Sequence, residues 1–300
     1  MAEKPQPGKQ GGVQTAKRAP PFKLQNAEDR RVERYLKLLI YGNYGVGKTH
    51  LASTANEVES MGDVLMVNAE AGDLTLENNP EFESITTVPV RNFTVFNHLY
   101  EFLMLHCKAR NENNVEKLIE LESFLSGCEP EDIKEPKRFR TLIVDTLSEV
   151  ETYCMNQILG ITDSTKINEE VSSPEWADYG KNLNMMMRLC RSLRDLDMHV
   201  IFTCAEKYNQ DETKRMKYVP SLTGKLAKQI QGFMDMVGYY VSGQEGDKVI
   251  RKLYVVPSAQ GKYDAKHRYS LFKGDSFLNP TIGSILKEVG LLQPEGAAIK

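Results

Sequence analysis

The run Gly42-Asn43-Tyr44-Gly45-Val46-Gly47-Lys48-Thr49 has the spacing G-x-x-x-x-G-K-T, and no other feature constrains the fold of this chain as strongly. Such a loop works only between a strand and a helix. Its glycines let consecutive backbone N–H groups turn inward around an anion with no Cβ in the way. A helix beginning at the loop presents its positive end to the same anion. The flanks match this demand. Leu36, Leu38, Leu39, Ile40 and Tyr41 form a short apolar run, as expected of a strand covered on both faces. After Lys48, the residues Leu51, Ala52 and Ala55 read as a helix packing small side chains on a sheet. The expected fold is therefore α/β, a single domain with a mainly parallel central sheet flanked by helices.

The loop also specifies a ligand, because its backbone fits the phosphates of a nucleoside triphosphate. The expected cofactors are ATP and Mg²⁺. Residues Gly42 to Thr49 would wrap the phosphates, with Lys48 neutralising the β- and γ-groups and Thr49 offering its hydroxyl to the metal. A second apolar run, Leu142-Ile143-Val144, ends in Asp145 and is followed by Thr146. A carboxylate at the C-terminal end of a buried strand is what holds the metal opposite the loop hydroxyl. Hydrolysis further requires a group that orients or deprotonates the attacking water. Three acids compete for that role at this stage. Glu70 ends the run Val64 to Ala69, Glu206 follows Val200 to Thr203, and Glu149 lies just after Asp145.

Three hundred residues suit one α/β domain with extensions. A net charge of -3 gives no global bias toward nucleic acid. No apolar stretch is long enough to span a bilayer, so a cytoplasmic protein without membrane association is expected. Five cysteines without close pairing, Cys107, Cys128, Cys154, Cys190 and Cys204, read as reduced thiols. Residues 1–34 combine Lys and Arg with Pro, Gly and Gln, and read as a mobile, mildly basic tail. The core is expected over 35–275, with a C-terminal helix and tail over 276–300.

Helical spacing recurs over Phe96 to Met104, Val115 to Phe124 and Ser148 to Leu159. A longer helix carries Trp176, Tyr179, Leu183, Met186, Leu189, Cys190 and Leu193, whose Met and aromatic stripe reads as core. Tyr208 to Tyr218 is polar, basic in its second half and flanked by tyrosines. Tyr208, Lys214, Arg215, Lys217 and Tyr218 on a flexible loop would suit single-stranded DNA, since cations track phosphates and rings stack on bases. An ordinary charged surface loop is the competing account. Arg251, Lys252, Lys262, Lys266 and Arg268 are candidate cations for reaching a neighbouring subunit's γ-phosphate.

Together, the loop at Gly42 to Thr49, Val67-Asn68-Ala69-Glu70 and Leu142-Ile143-Val144-Asp145-Thr146 resemble the RecA-like P-loop ATPases, including the single-strand annealing proteins that phages encode. The resemblance covers Tyr35 to Tyr269. It implies that Glu70 activates the water and acts with Lys48 in catalysis. It also implies that Tyr208 to Tyr218 is a mobile DNA-binding loop, and that the chain assembles as a filament or ring. A phage-encoded chain would work in the host bacterial cytoplasm. The sequence departs from the RecA pattern at Cys204-Ala205-Glu206, where a polar phosphate sensor is expected, and in having no large C-terminal domain.

The expectation is an ATP-hydrolysing protein acting on single-stranded DNA in recombination or annealing. The main alternative is a P-loop switch or motor acting on a protein partner. A small-molecule kinase is a third reading, although no acceptor site is recognisable.

Overall fold

The computed structural model describes residues 34–70, 73–77, 79–210 and 214–292. The chain divides into Met1–Arg34 and Tyr35–Lys300. The basic tail expected at 1–34 lies outside the described residues except for Arg34, as do 211–213 in the expected DNA loop and 293–300 of the C-terminal segment.

The order of elements is β1 (Lys37–Gly42), α1 (Lys48–Ser53), β2 (Asp63–Asn68), α2 (Asp73–Glu77), β3 (Thr86–Pro89), α3 (Val95–Asn111), α4 (Val115–Ser126) and β4 (Phe139–Asp145). It continues with α5 (Leu147–Ile158), α6 (Trp176–Arg194), β5 (His199–Gln210), β6 (Met216–Pro220), α7 (Leu226–Phe233), β7 (Met236–Glu245), β8 (Lys248–Tyr254), β9 (Lys266–His267), β10 (Ser276–Leu278) and α8 (Ile282–Glu288).

The sheet runs β10-β8-β7-β1-β5-β4-β2-β3. Strands β7, β1, β5, β4, β2 and β3 are parallel to one another, while β8 is antiparallel to β7. Alternation along each strand sorts the core onto two faces. Leu39, Tyr41, Leu65, Val67, Leu142, Val144, Val200 and Phe202 pack with residues of α3 to α7. Leu38, Ile40, Val64, Met66, Ile143 and Ile201 pack with Leu51 and Ala52 of α1 and with Ile282, Ile285 and Leu286 of α8. The protein thus has the RecA-like P-loop fold, a mostly parallel sheet with helices on both faces. The segment after residue 275 is built into it: β10 pairs with β8, and the Ile282 N–H donates to Thr54 Oγ1 at 2.8 Å.

Two expectations need correction. The strand read as ending at Thr203 continues to Gln210, and its outer half pairs with β6, Tyr208 opposite Tyr218. The segment expected to be a flexible loop is therefore a β-hairpin over its described part. Its outer residues are polar because the ribbon projects beyond the sheet, where Tyr208, Asn209 and Gln210 are exposed. Trp176 and Tyr179 do not belong to the core either; Trp176 is 94 % exposed and Tyr179 is also open to solvent. They occupy the first turn of α6, ahead of the stretch that packs against α5, and the buried stripe is Met186, Leu189, Cys190 and Leu193.

Candidate functional site

The C-terminal ends of the parallel strands form one edge, and the site lies along it. β1 delivers Gly42 into the loop, and α1 begins at Lys48 after Gly47 in the left-handed region (φ 94°). Gly42 must lack a side chain, because a Cβ there would stand 2.1 Å from the Tyr240 carbonyl oxygen. Lys48 is buried, and its ammonium donates to the carbonyls of Gly42 (3.1 Å) and Asn43 (2.8 Å). Asn43, Tyr44 and Gly45 remain exposed.

Asp145 ends β4, two strands from β1, and is 1 % exposed. Its Oδ2 accepts from the Thr49 hydroxyl at 2.8 Å, which joins the P-loop helix to β4 across the site. Its Oδ1 accepts a short hydrogen bond from the Thr203 hydroxyl on the intervening β5. A hydroxyl and a carboxylate held together are oxygen donors suited to Mg²⁺, so the residues present fit a magnesium nucleotide. They fit it together with the ammonium beside them, which is already resting on acceptor oxygens.

Burial lowers the proton affinity of Lys48; Glu70 opposes this most strongly among nearby groups, followed by Asp145. Glu70 behaves reciprocally. Partial loss of water raises its carboxyl above the ordinary value, Asp145 raises it further, and Lys48 pulls it down. A hydrogen bond with Thr146 also lowers it, and Glu149 stands close enough to raise it. Lys48, Thr49, Asp145 and Glu70 are thus brought together, with Glu149 beside Glu70. Glu206 is placed differently. Its partner is the buried Tyr239 phenol, whose proton is held more tightly by burial, by the Glu206 charge and by their hydrogen bond.

Cys204 supplies no polar sensor. It is fully buried, 3.3 Å from the Ser148 hydroxyl, and burial pushes its thiol up to about 12. Thr203, one residue earlier, makes the polar contact to Asp145 instead. Sequence reasoning missed Thr203, although a hydroxyl within the apolar run Val200-Ile201-Phe202 is a signal that could have been read.

The candidate intersubunit cations scatter. Arg251 lies against its own P-loop, with Nε 3.1 Å from the Val46 carbonyl. Lys252 sits over the Tyr254 ring at 4.7 Å. Lys262 is exposed, and its carbonyl accepts from the Tyr218 N–H at 2.8 Å. Lys266 and Arg268 lie toward the opposite edge of the sheet, near the start of β7, where Arg268 pairs with Asp235 at 3.2 Å.

In the hairpin, the hydroxyls of Tyr208 and Tyr218 are 2.7 Å apart, and Tyr208 is exposed. Lys214 and Arg215 are exposed near its tip, while Lys217 pairs with Asp264 at 2.6 Å. Between the hairpin and α7 lies a groove of about 910 Å³ lined by Lys217, Lys225, Lys228 and Lys266 with several amide side chains. Among the described lining residues Asp264 is the one carboxylate. No described helix is long and apolar enough to cross a membrane.

A family description, AAA domain, matches residues 34–269 of the chain. No curated protein matches it. Among solved structures it is similar to the flagellar accessory protein FlaH from Methanocaldococcus jannaschii, with 12% identity and a TM-score of 0.37, covering 86% of this chain and 93% of that one. It is also similar to a KaiC-like protein from Pyrococcus horikoshii OT3, at 12% identity and TM-score 0.39 over 82% and 89%. The RadB recombinase is similar at 12% identity and TM-score 0.40 over 81% and 86%.

Proposed function

The chain belongs to the AAA-domain family, and on that premise we propose that it is an ATPase that assembles on single-stranded DNA and serves recombination or annealing. In the ATP complex Lys48 leaves the Gly42 and Asn43 carbonyls for the β- and γ-phosphate oxygens. The P-loop N–H groups and the start of α1 hold the same oxygens. Mg²⁺, when bound by Thr49 and Asp145, supplies charge neutralisation at the phosphates. Glu70 stands at the same edge and orients and deprotonates the attacking water, its raised proton affinity suiting a base that works nearer neutrality.

The observation that carries the DNA reading is the groove beside the hairpin. A chain of net charge -3 gathers four lysines against one aspartate there, which is the charge a polyanion backbone requires. The exposed Tyr208 ring on the same hairpin offers a stacking surface. Subunit assembly would place nucleotide between neighbours, where exposed cations such as Lys262 meet the γ-phosphate.

The test is ATP turnover with and without single-stranded DNA, with electron microscopy of the same mixtures. Stimulation together with filaments or rings is the expected result. If Lys48→Ala retains full turnover, the site assignment is wrong. If single strands neither bind nor alter turnover, and Lys225→Glu with Lys228→Glu changes nothing, a protein partner replaces DNA in this reading.

A further inference from the structure

The P-loop is held from a direction that phosphate binding does not use. Arg251 on β8 reaches past β7 and donates its Nε to the Val46 carbonyl at 3.1 Å. Its side chain also covers Gly47. Nε, Cδ and Cζ lie 3.1, 3.7 and 3.8 Å from the point a Gly47 Cβ would occupy. The arginine backbone is itself fixed at the sheet edge. Its N–H donates to Asn279 Oδ1 at 2.8 Å, and the Asn279 N–H returns a bond to the Arg251 carbonyl at 2.7 Å. Asn279 adopts φ 42°, a left-handed conformation that asparagine tolerates better than most residues.

In a planar trans peptide the carbonyl and the following N–H point in opposite directions. Holding the Val46 oxygen toward β8 therefore turns the Gly47 N–H away from β8. The loop binds anions through the directions of its N–H groups, so a rear bond to one carbonyl sets a front donor. Without that bond, Gly47 has the widest conformational freedom of any residue type, and the peptide is free to rotate.

We propose that Arg251 is a positioning residue of the nucleotide site, acting within its own chain to preset the Val46–Gly47 peptide for phosphate. The proposal rests on the nucleotide-binding reading above. It differs from a cation reaching a neighbour's γ-phosphate, because the Nε of Arg251 is engaged by its own loop.

The full chain with R251M keeps the stem over Gly47 and removes the donor, and R251K keeps a donor of different shape. Affinity is read by titrating a fluorescent methylanthraniloyl-ATP, and KM and kcat are read in steady state. Loss of a charge-assisted hydrogen bond predicts that R251M raises Kd about tenfold. KM rises with it, kcat falls by less than KM rises, and R251K gives an intermediate Kd. A drop in kcat with unchanged Kd would mean a finger acting on a neighbour and overturns the proposal. A lower Tm with unchanged Kd would mean a purely structural contact and also overturns it. Should R251M not fold, R251K decides alone: a Kd raised about threefold supports the proposal, and a wild-type Kd refutes it. Failure of the wild-type chain to bind the analogue would instead sink the ATPase reading itself.

Discussion

Thr203→Val tests whether Asp145 is held in place by two hydroxyls. Thr203 is fully buried and donates to Oδ1, while Thr49 donates to Oδ2 of a carboxylate that is itself 1 % exposed. Valine preserves the shape and removes one donor. A buried hydrogen bond to a charged group contributes about 1.5–3 kcal/mol, and the extra methyl recovers about 0.8 kcal/mol. The expected net loss is about 1–2 kcal/mol. For a domain of this size each kcal/mol shifts Tm by about 2–4 °C, so Tm should fall by about 2–8 °C. The assay is thermal unfolding of the ligand-free chain for wild type, T203V, T203S, D145N and the T203V/D145N pair. T203S should lie near wild type. The double variant should reveal a coupling of about 1 kcal/mol, because T203V removes the bond and D145N removes the charge that strengthens it. A T203V chain as stable as wild type, or effects that simply add, would show that Thr203 does not hold the carboxylate.

Glu70→Gln should abolish turnover, by at least about 10²-fold, while leaving binding of the fluorescent ATP analogue intact; loss of both would place Glu70 in binding. Because the Glu70 proton affinity is raised in the ligand-free chain and the carboxylate is the working form, kcat/KM should climb as pH rises through a value above that of an ordinary glutamate. A limb at the ordinary glutamate position would contradict the geometry of the site. Lys225→Glu with Lys228→Glu should weaken single-strand binding and flatten the log Kobs against log salt slope by about 1.4 or more; an unchanged slope would move the DNA elsewhere. Gly47→Ala should cost about 1–2 kcal/mol of stability, since φ 94° disfavours any Cβ and Arg251 crowds it; wild-type Tm and nucleotide affinity would contradict this.

The strands that bear the site were legible because each is a short apolar run closed by a distinctive residue: Gly42, Glu70 or Asp145. Those closing residues share one edge once the strands are parallel, which buried, uninterrupted hydrophobic runs already imply. The hairpin was not legible. Past Cys204 the strand loses its apolar character while keeping its extended backbone, and a polar ribbon reads like a loop. Trp176 was misread because helical spacing gives a face without saying how far along the helix its partner extends. The contact between Arg251 and Val46 spans 205 positions. No local pattern encodes such a contact; it follows from the sheet order that puts β8 beside β7 and β7 beside β1.

The unbroken course of β5 limits how this protein can vary. Twelve residues, about 40 Å of chain, run without a joint from the sheet interior, where Thr203 meets Asp145, to the exposed ribbon carrying Tyr208. Successive side chains in a strand face opposite ways, so one residue inserted between Thr203 and Tyr208 would invert every side chain beyond it. Glu206 would leave Tyr239, and Lys207 would leave the Leu222 carbonyl that it now binds. Length changes in this shaft are tolerable only in pairs. Relatives of this chain should accordingly keep a fixed count of residues from Thr203 to Tyr208.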